Sequence, residues 1–156
     1  MTGTSSSLRP APSFGEALLP AFVNLVSVPA DTWIDTGLSV ALPGQGVYEV
    51  TATLHTVISA NTSSGSYRIG ITGRLFNVTA GTAVQDSQYT AQQNADSNPT
   101  SLVVDADLSS FHKFVTTAGP AVIRLEVLKT TSAGVPVATT GLLTGNTRLA
   151  FNKVSG

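Results

Sequence analysis

One stretch constrains the fold more than any other. Residues 43–58 open with a turn signal, Pro43-Gly44-Gln45-Gly46, and pass directly into an alternation of period two. Tyr48, Val50, Ala52, Leu54 and Ile58 fall on one side. Glu49, Thr51, Thr53, His55 and Val57 fall on the other. Successive side chains of an extended chain point to opposite faces, so this is a strand with one face in a core. Val47 and Val57 leave the second face only partly polar, which makes both candidate interface residues.

Similar signals recur along the chain. Residues 21–28 read as a first strand ended at Pro29, with short strands at 32–37 and 38–42. After a polar loop at 59–66, Tyr67, Ile69, Ile71 and Leu75 point inward, and Arg68, Thr72 and Arg74 point outward. Gly70 and Gly73 interrupt that run, as glycines at bulges or close approaches do. Strands are expected at 83–91, 101–105 and 110–116, with a polar loop at 92–99. Beyond the Gly119-Pro120 breaker, Ile123, Leu125 and Val127 point inward, and Arg124 and Glu126 outward. Residues 130–145 read as a long loop with a short strand at 135–139. The last strand, 147–154, turns Leu149 and Phe151 inward. Many short strands with regular breakers and no amphipathic helix define an all-β sandwich or barrel.

Residues 1–13 are rich in Ser, Thr, Pro and Gly, with Arg9 as their one charge. Phe14 to Leu19 could form a helical turn, which Pro20 would stop. The expectation is an N-terminal arm over 1–20 with little regular structure, followed by one domain over 21–156. The arm offers Leu8, Phe14, Leu18, Leu19 and Phe22 to a partner.

Charge and composition narrow the role. The 156 residues carry a net charge of −1, and only 11% are charged, against 42% hydrophobic. A nucleic-acid binder would show a basic surplus, so no nucleic-acid partner is expected. No apolar run reaches the length of a membrane helix, and no secretory signal pattern opens the chain, so no membrane partner is expected. There are no cysteines, which excludes disulfides and thiolate metal sites. Such a surface of hydroxyls and small apolar groups suits contact between proteins.

From Thr32-Trp33 with Thr36-Gly37, through Val40-Ala41-Leu42-Pro43, to Gly46-Val47-Tyr48-Glu49-Val50, the sequence resembles the front half of C1q/TNF-like jelly rolls. That resemblance implies an antiparallel jelly-roll β-sandwich. In it the Gly-x-Tyr strand lies in the inner sheet, and a closing strand at 146–154 lies beside the first. It further implies a compact homotrimer. Jelly rolls of this kind recur in bacteriophage virions as capsid decoration proteins and as fibre tips. The chain is poorer in aromatic residues than that family.

Residues capable of chemistry are sparse and scattered. His55 and His112 stand in separate strands without the spacing that presents two metal ligands together. Asp105 and Asp107 share a strand face but lack the further oxygen ligands of a Ca²⁺ loop. Asp31 and Asp35 flank Trp33, the one tryptophan, in a pattern a sugar site could use; a packing anchor or interface residue is the plainer role. Gly44-Gln45-Gly46 leads into a strand rather than a helix, which disfavours a phosphate loop. No Gly-x-Ser-x-Gly elbow occurs. Asn61 and Asn77 open glycosylation-type triplets that read as turn chemistry. No catalytic, cofactor-binding or metal-binding set is expected.

The sequence therefore leads to a non-enzymatic virion protein. The expected role is capsid decoration: a trimer on the capsid exterior, bound to the major capsid protein, with Trp33, Val47 and Val57 as further interface candidates. The alternative is a receptor- or glycan-binding tip of a fibre, using the loops at 59–66, 92–100 and 130–146.

Overall fold

The computed structural model describes residues 11–61, 67–96, 102–133, 135–136 and 140–156. Every regular element among them is a strand: β1 (Phe14–Leu18), β2 (Val23–Asn24), β3 (Ile34–Leu42), β4 (Gly46–Asn61), β5 (Tyr67–Asn77), β6 (Thr82–Ala83), β7 (Tyr89–Asp96), β8 (Leu102–Thr117), β9 (Ala121–Ala133), β10 (Val135–Pro136), β11 (Gly141–Leu142) and β12 (Arg148–Ser155).

They form two antiparallel sheets of seven and five strands. In the larger, sheet A, β4 is the spine. One side of β4 pairs with β8 from end to end without a register shift. The other side pairs with β12, then β11, then β10. β1 completes this sheet outside β12. The smaller, sheet B, runs β3-β9-β5, with β6 and β7 both on β5. This strand order is a jelly-roll β-sandwich. The closing strand β12 lies between β1 and β4 and not beside residues 21–28, whose β2 pairs with β11.

The alternation read from residues 43–58 sets the interior. Tyr48, Val50, Ala52, Leu54 and Ile58 from sheet A face Ile69, Ile71, Leu75, Ile123, Leu125 and Val127 from sheet B, and all are buried. Removing that apolar surface from water drives the two layers together. Tyr48 is fully buried, and its hydroxyl donates to the Gly44 carbonyl at 3.0 Å. A buried phenol needs such a partner. Lys129 is also buried, and its Nζ donates to the carbonyls of Leu25 and Val26 at 2.8 and 3.0 Å. Burial holds its pKa below the usual lysine value.

Several boundaries differ from those the sequence implies. Residues 14–18 are not an irregular arm but β1, laddered onto β12 with Phe14 opposite Asn152 and Leu18 opposite Arg148. The ladder extends to Ser13, whose carbonyl accepts from Lys153 N. Alternation within β1 packs Ala17 against the core and leads to Leu19, only 3% exposed. Residues 13–19 thus belong to the sandwich rather than to an arm. Residues 21–28 supply only the two-residue β2, because the Asn24 side chain takes the Val26 N–H at 2.9 Å and turns the chain. The two strands expected over 32–42 are one, β3, bent by a bulge between Asp35 and Ser39 where Gly37 takes a φ of 77°.

Residues 92–96 belong to β7 rather than to a loop, and Leu102–Thr117 is one long strand rather than two. β5 runs on through Gly70 and Gly73, but its register shifts between Ile71 and Thr72, and a Cβ at Gly73 would lie 3.0 Å from Leu54, as the bulge or close approach expected of these glycines requires. The 130–145 region continues β9 to Ala133, then supplies β10 and β11. In β11, Gly141 lies so close to Val23 that any Cβ there would strike the Val23 carbonyl. Residues 62–66, 97–100, 134 and 137–139, which belong to the three expected binding loops, lie outside the described residues.

Candidate interaction surface

The outward side of sheet A is built by the residues that alternate with the core. Across one level the order is Phe14, Asn152, Glu49, Phe114; across the next it is Glu16, Ala150, Thr51, His112; then Leu18, Arg148, Thr53, Ser110. Phe14 and Phe114 are three strand spacings apart, about 14 Å. The centre of this face is polar, and its two flanks are apolar. On the β1 flank Phe14 and Leu18 are 58% and 55% exposed. On the β8 flank Val104, Leu108 and Phe114 are equally open to solvent. Val154, in the bulge of β12, is exposed as well. Covering each of these side chains would stabilise a complex by roughly 1 kcal/mol or more, since complete burial of such a side chain is worth about 1.5–3 kcal/mol.

The outward side of sheet B is built differently. Arg74 on β5 and Arg124 on β9 both grip Glu126, which is 4% exposed. Arg74 Nε donates to Glu126 Oε2 at 2.8 Å, and Arg124 Nε donates to Oε1 at 3.0 Å. Arg124 also reaches Asp35 at 3.3 Å. The guanidinium planes cover the aromatic rings on this face. Arg74 lies 4.1 Å over Trp33, and Arg124 lies 4.5 Å over Phe76.

The expected contact residues fare unequally. Phe14, Leu18 and Phe22 are exposed, while Leu19 is a core residue and therefore unavailable to a partner. Leu8 lies outside the described residues. Val57 is 6% exposed; it is not a surface contact. Val47 is half-buried at the start of β4, and Trp33 is half-buried beneath Arg74. The β8 row of Val104, Leu108 and Phe114 went unread in the sequence. The signal was present as an alternation over 104–114, hidden by the polar pair Ser109 and Ser110.

The candidate chemical groups do not converge. His112 is exposed on the sheet A face, 3.9 Å from Glu49, whereas His55 is half-buried further along β4. Asp105 and Asp107 stand exposed along β8. Among the described residues, no three histidine, aspartate or glutamate side chains cluster as metal ligands. Tyr89 stacks on Phe111 with ring centres 5.4 Å apart, closing part of the seam between the sheets. A shallow groove beside them, about 340 Å³, runs between residues 86–89 and 110–113.

No protein-family model and no curated protein matches the sequence. Among solved structures, the chain is similar to a structure of infectious bursal disease virus, Gx strain, at 16% identity and a TM-score of 0.47, over 91% of this chain and 33% of that one. It is similar to the VP2 subviral particle of the same virus at 14% identity and a TM-score of 0.44, over 88% and 32% of the two chains. It is also similar to the TNF protein Eiger from S. frugiperda at 14% identity and a TM-score of 0.33, over 90% and 85%. The chain spans about a third of the length of the viral chains it matches. The fold assignment rests on the strand order given above.

Proposed function

We propose that the chain is a non-enzymatic structural protein of a bacteriophage virion. It decorates the capsid exterior as a homotrimer and adheres to the major capsid protein by shape. One observation carries this reading: sheet A presents apolar side chains on both flanks of its outward face, and they are exposed among the described residues. Exposed apolar patches set beside polar groups are characteristic of a protein contact. The β1 flank, with Phe14, Leu18 and Val154, supplies the contact within the trimer and toward the shell. Three linked copies then bind more tightly than one through effective concentration.

The test is co-sedimentation of the purified protein with capsid shells that lack it, comparing the native chain with a Phe14→Ser/Leu18→Ser double variant. The expected result is saturable binding in multiples of three by the native chain, and loss of binding by the variant. Full occupancy by a folded double variant would refute the assignment of the face.

A further inference from the structure

β8 is an open edge. Among the described residues it pairs with β4 alone, and the backbone directions can be worked out. His55 N donates to Thr147 Oγ1, and His55 O accepts from Leu143 N. Ser59 N donates to Thr140 Oγ1 in the same direction. The odd-numbered residues of β4 thus point their backbone groups away from β8, and the even-numbered ones point toward it. Leu54 and Ala52 lie opposite Ser109 and Phe111, so the odd-numbered residues of β8 complete that ladder. Val104, Ala106, Leu108, Ser110, His112, Phe114 and Thr116 therefore aim their N–H and C=O groups out of the sheet. Among the described residues, no backbone hydrogen bond meets them; the Leu108 N–H is met by the side chain of Asp107 at 2.8 Å.

An exposed edge of 16 residues is a template for pairing. Edges are ordinarily blunted by proline, a bulge or concentrated charge. β8 has no proline, no glycine and no register shift. Its charged residues are Asp105, Asp107 and Lys113. These are disposed for one orientation of a second copy. An antiparallel pair with its dyad at Ser110 sets Asp107 opposite Lys113 twice, Ala106 opposite Phe114, Leu108 opposite His112, and Ser110 opposite itself. Parallel pairing in register would stack Asp107 on Asp107 and Lys113 on Lys113. Opposite charges across a strand pair stabilise and like charges destabilise.

We infer that the β8 edge is an isologous two-fold contact, occupied by β8 of a second copy, that joins the two A sheets into one. This goes beyond the shell-binding reading. It uses the opposite edge of the sheet from Phe14 and Leu18, and it would tie one trimer to the next on a surface.

The chain has no cysteine, so Ser110→Cys treated with a short bismaleimide reports this dyad alone. A two-chain product is expected. Ala106→Pro in that background removes an N–H that points out of the sheet and should leave β8 on β4. It should lower the cross-linked yield about tenfold, a change that corresponds to about 1.4 kcal/mol. Lys113→Asp should lower it similarly, and the exchanged pair Asp107→Lys/Lys113→Asp should restore it, with shell binding unchanged throughout. A Ser110→Cys chain with native thermal unfolding that gives no cross-link overturns the inference. So does an exchanged pair that stays as poor as Lys113→Asp.

Discussion

The two outward faces of the sandwich are made from similar strands yet finished in opposite ways. On sheet B, Trp33 and Phe76 lie beneath guanidinium groups, and those groups are neutralised by Glu126 and Asp35. Each apolar ring has a lid, and each lid has a counter-charge. On sheet A, Phe14, Leu18, Leu108 and Phe114 have neither among the described residues. The difference shows that this chain can cover its own aromatic residues and, among the described residues, does so on sheet B. Exposure on sheet A is therefore a property of that face, not of a chain poor in charge.

The largest effect should come from breaking the link between core and contact at β1. Deleting residues 1–20 removes β1 from β12 and Leu19 from the core. A buried leucine alone is worth about 2–5 kcal/mol. The deletion should lower Tm by roughly 10 °C or more, read by calorimetry. A truncated chain that unfolds at the native temperature would return residues 14–19 to the status of an arm.

Next in size is the lid on sheet B. Glu126→Gln leaves Arg74 and Arg124 facing each other without their shared counter-charge. Losing one partner of a buried ion pair costs about 3–5 kcal/mol, and less here because both arginines are partly solvated. A loss of about 2 kcal/mol in urea unfolding is expected, with no change in assembly.

The reverse pattern should hold on sheet A. Phe14→Ser/Leu18→Ser should change the unfolding of the isolated chain by about 0.5 kcal/mol or less per site, the range of surface substitutions. It should weaken association at least tenfold, measured by sedimentation velocity.

The smallest effect concerns Lys129. Its folded pKa is depressed by burial from 10.5. Between that lowered value and 10.5 the unfolded chain binds more protons, so stability rises with pH across this window and is lost again as pH falls through the folded pKa. Lys129→Met lacks this titration. Native stability relative to Lys129→Met should thus climb on going alkaline, in urea titrations at stepped pH.

Much of this fold was legible in the chain, and the parts that were not share a cause. Period-two patterns exposed β4, β5, β9 and β12 because one face of each is apolar and continuous. β1 was masked because Phe14, Leu18 and Leu19 are apolar on both faces, so a strand with an exposed greasy side resembles a helical turn. β8 was split because Ser109 and Ser110 interrupt a row whose apolar members point outward, opposite to the usual expectation. The same property that made β1 and β8 hard to read, apolar residues on the solvent side, makes their face the candidate surface. The Arg74–Glu126–Arg124 cluster joins Arg74 to Glu126, 52 positions away, so only their outward direction was visible beforehand.

Hydroxyl-radical footprinting of the native protein at working concentration tests the central claim most directly. The account predicts oligomers in which Phe14 and Leu18 are labelled less than in the Phe14→Ser or Leu18→Ser single variants, each read at its remaining residue, while Trp33 and Phe76 are labelled alike in every form. A monomer in which Phe14, Leu18, Leu108 and Phe114 are all labelled as freely as their exposure allows would contradict it.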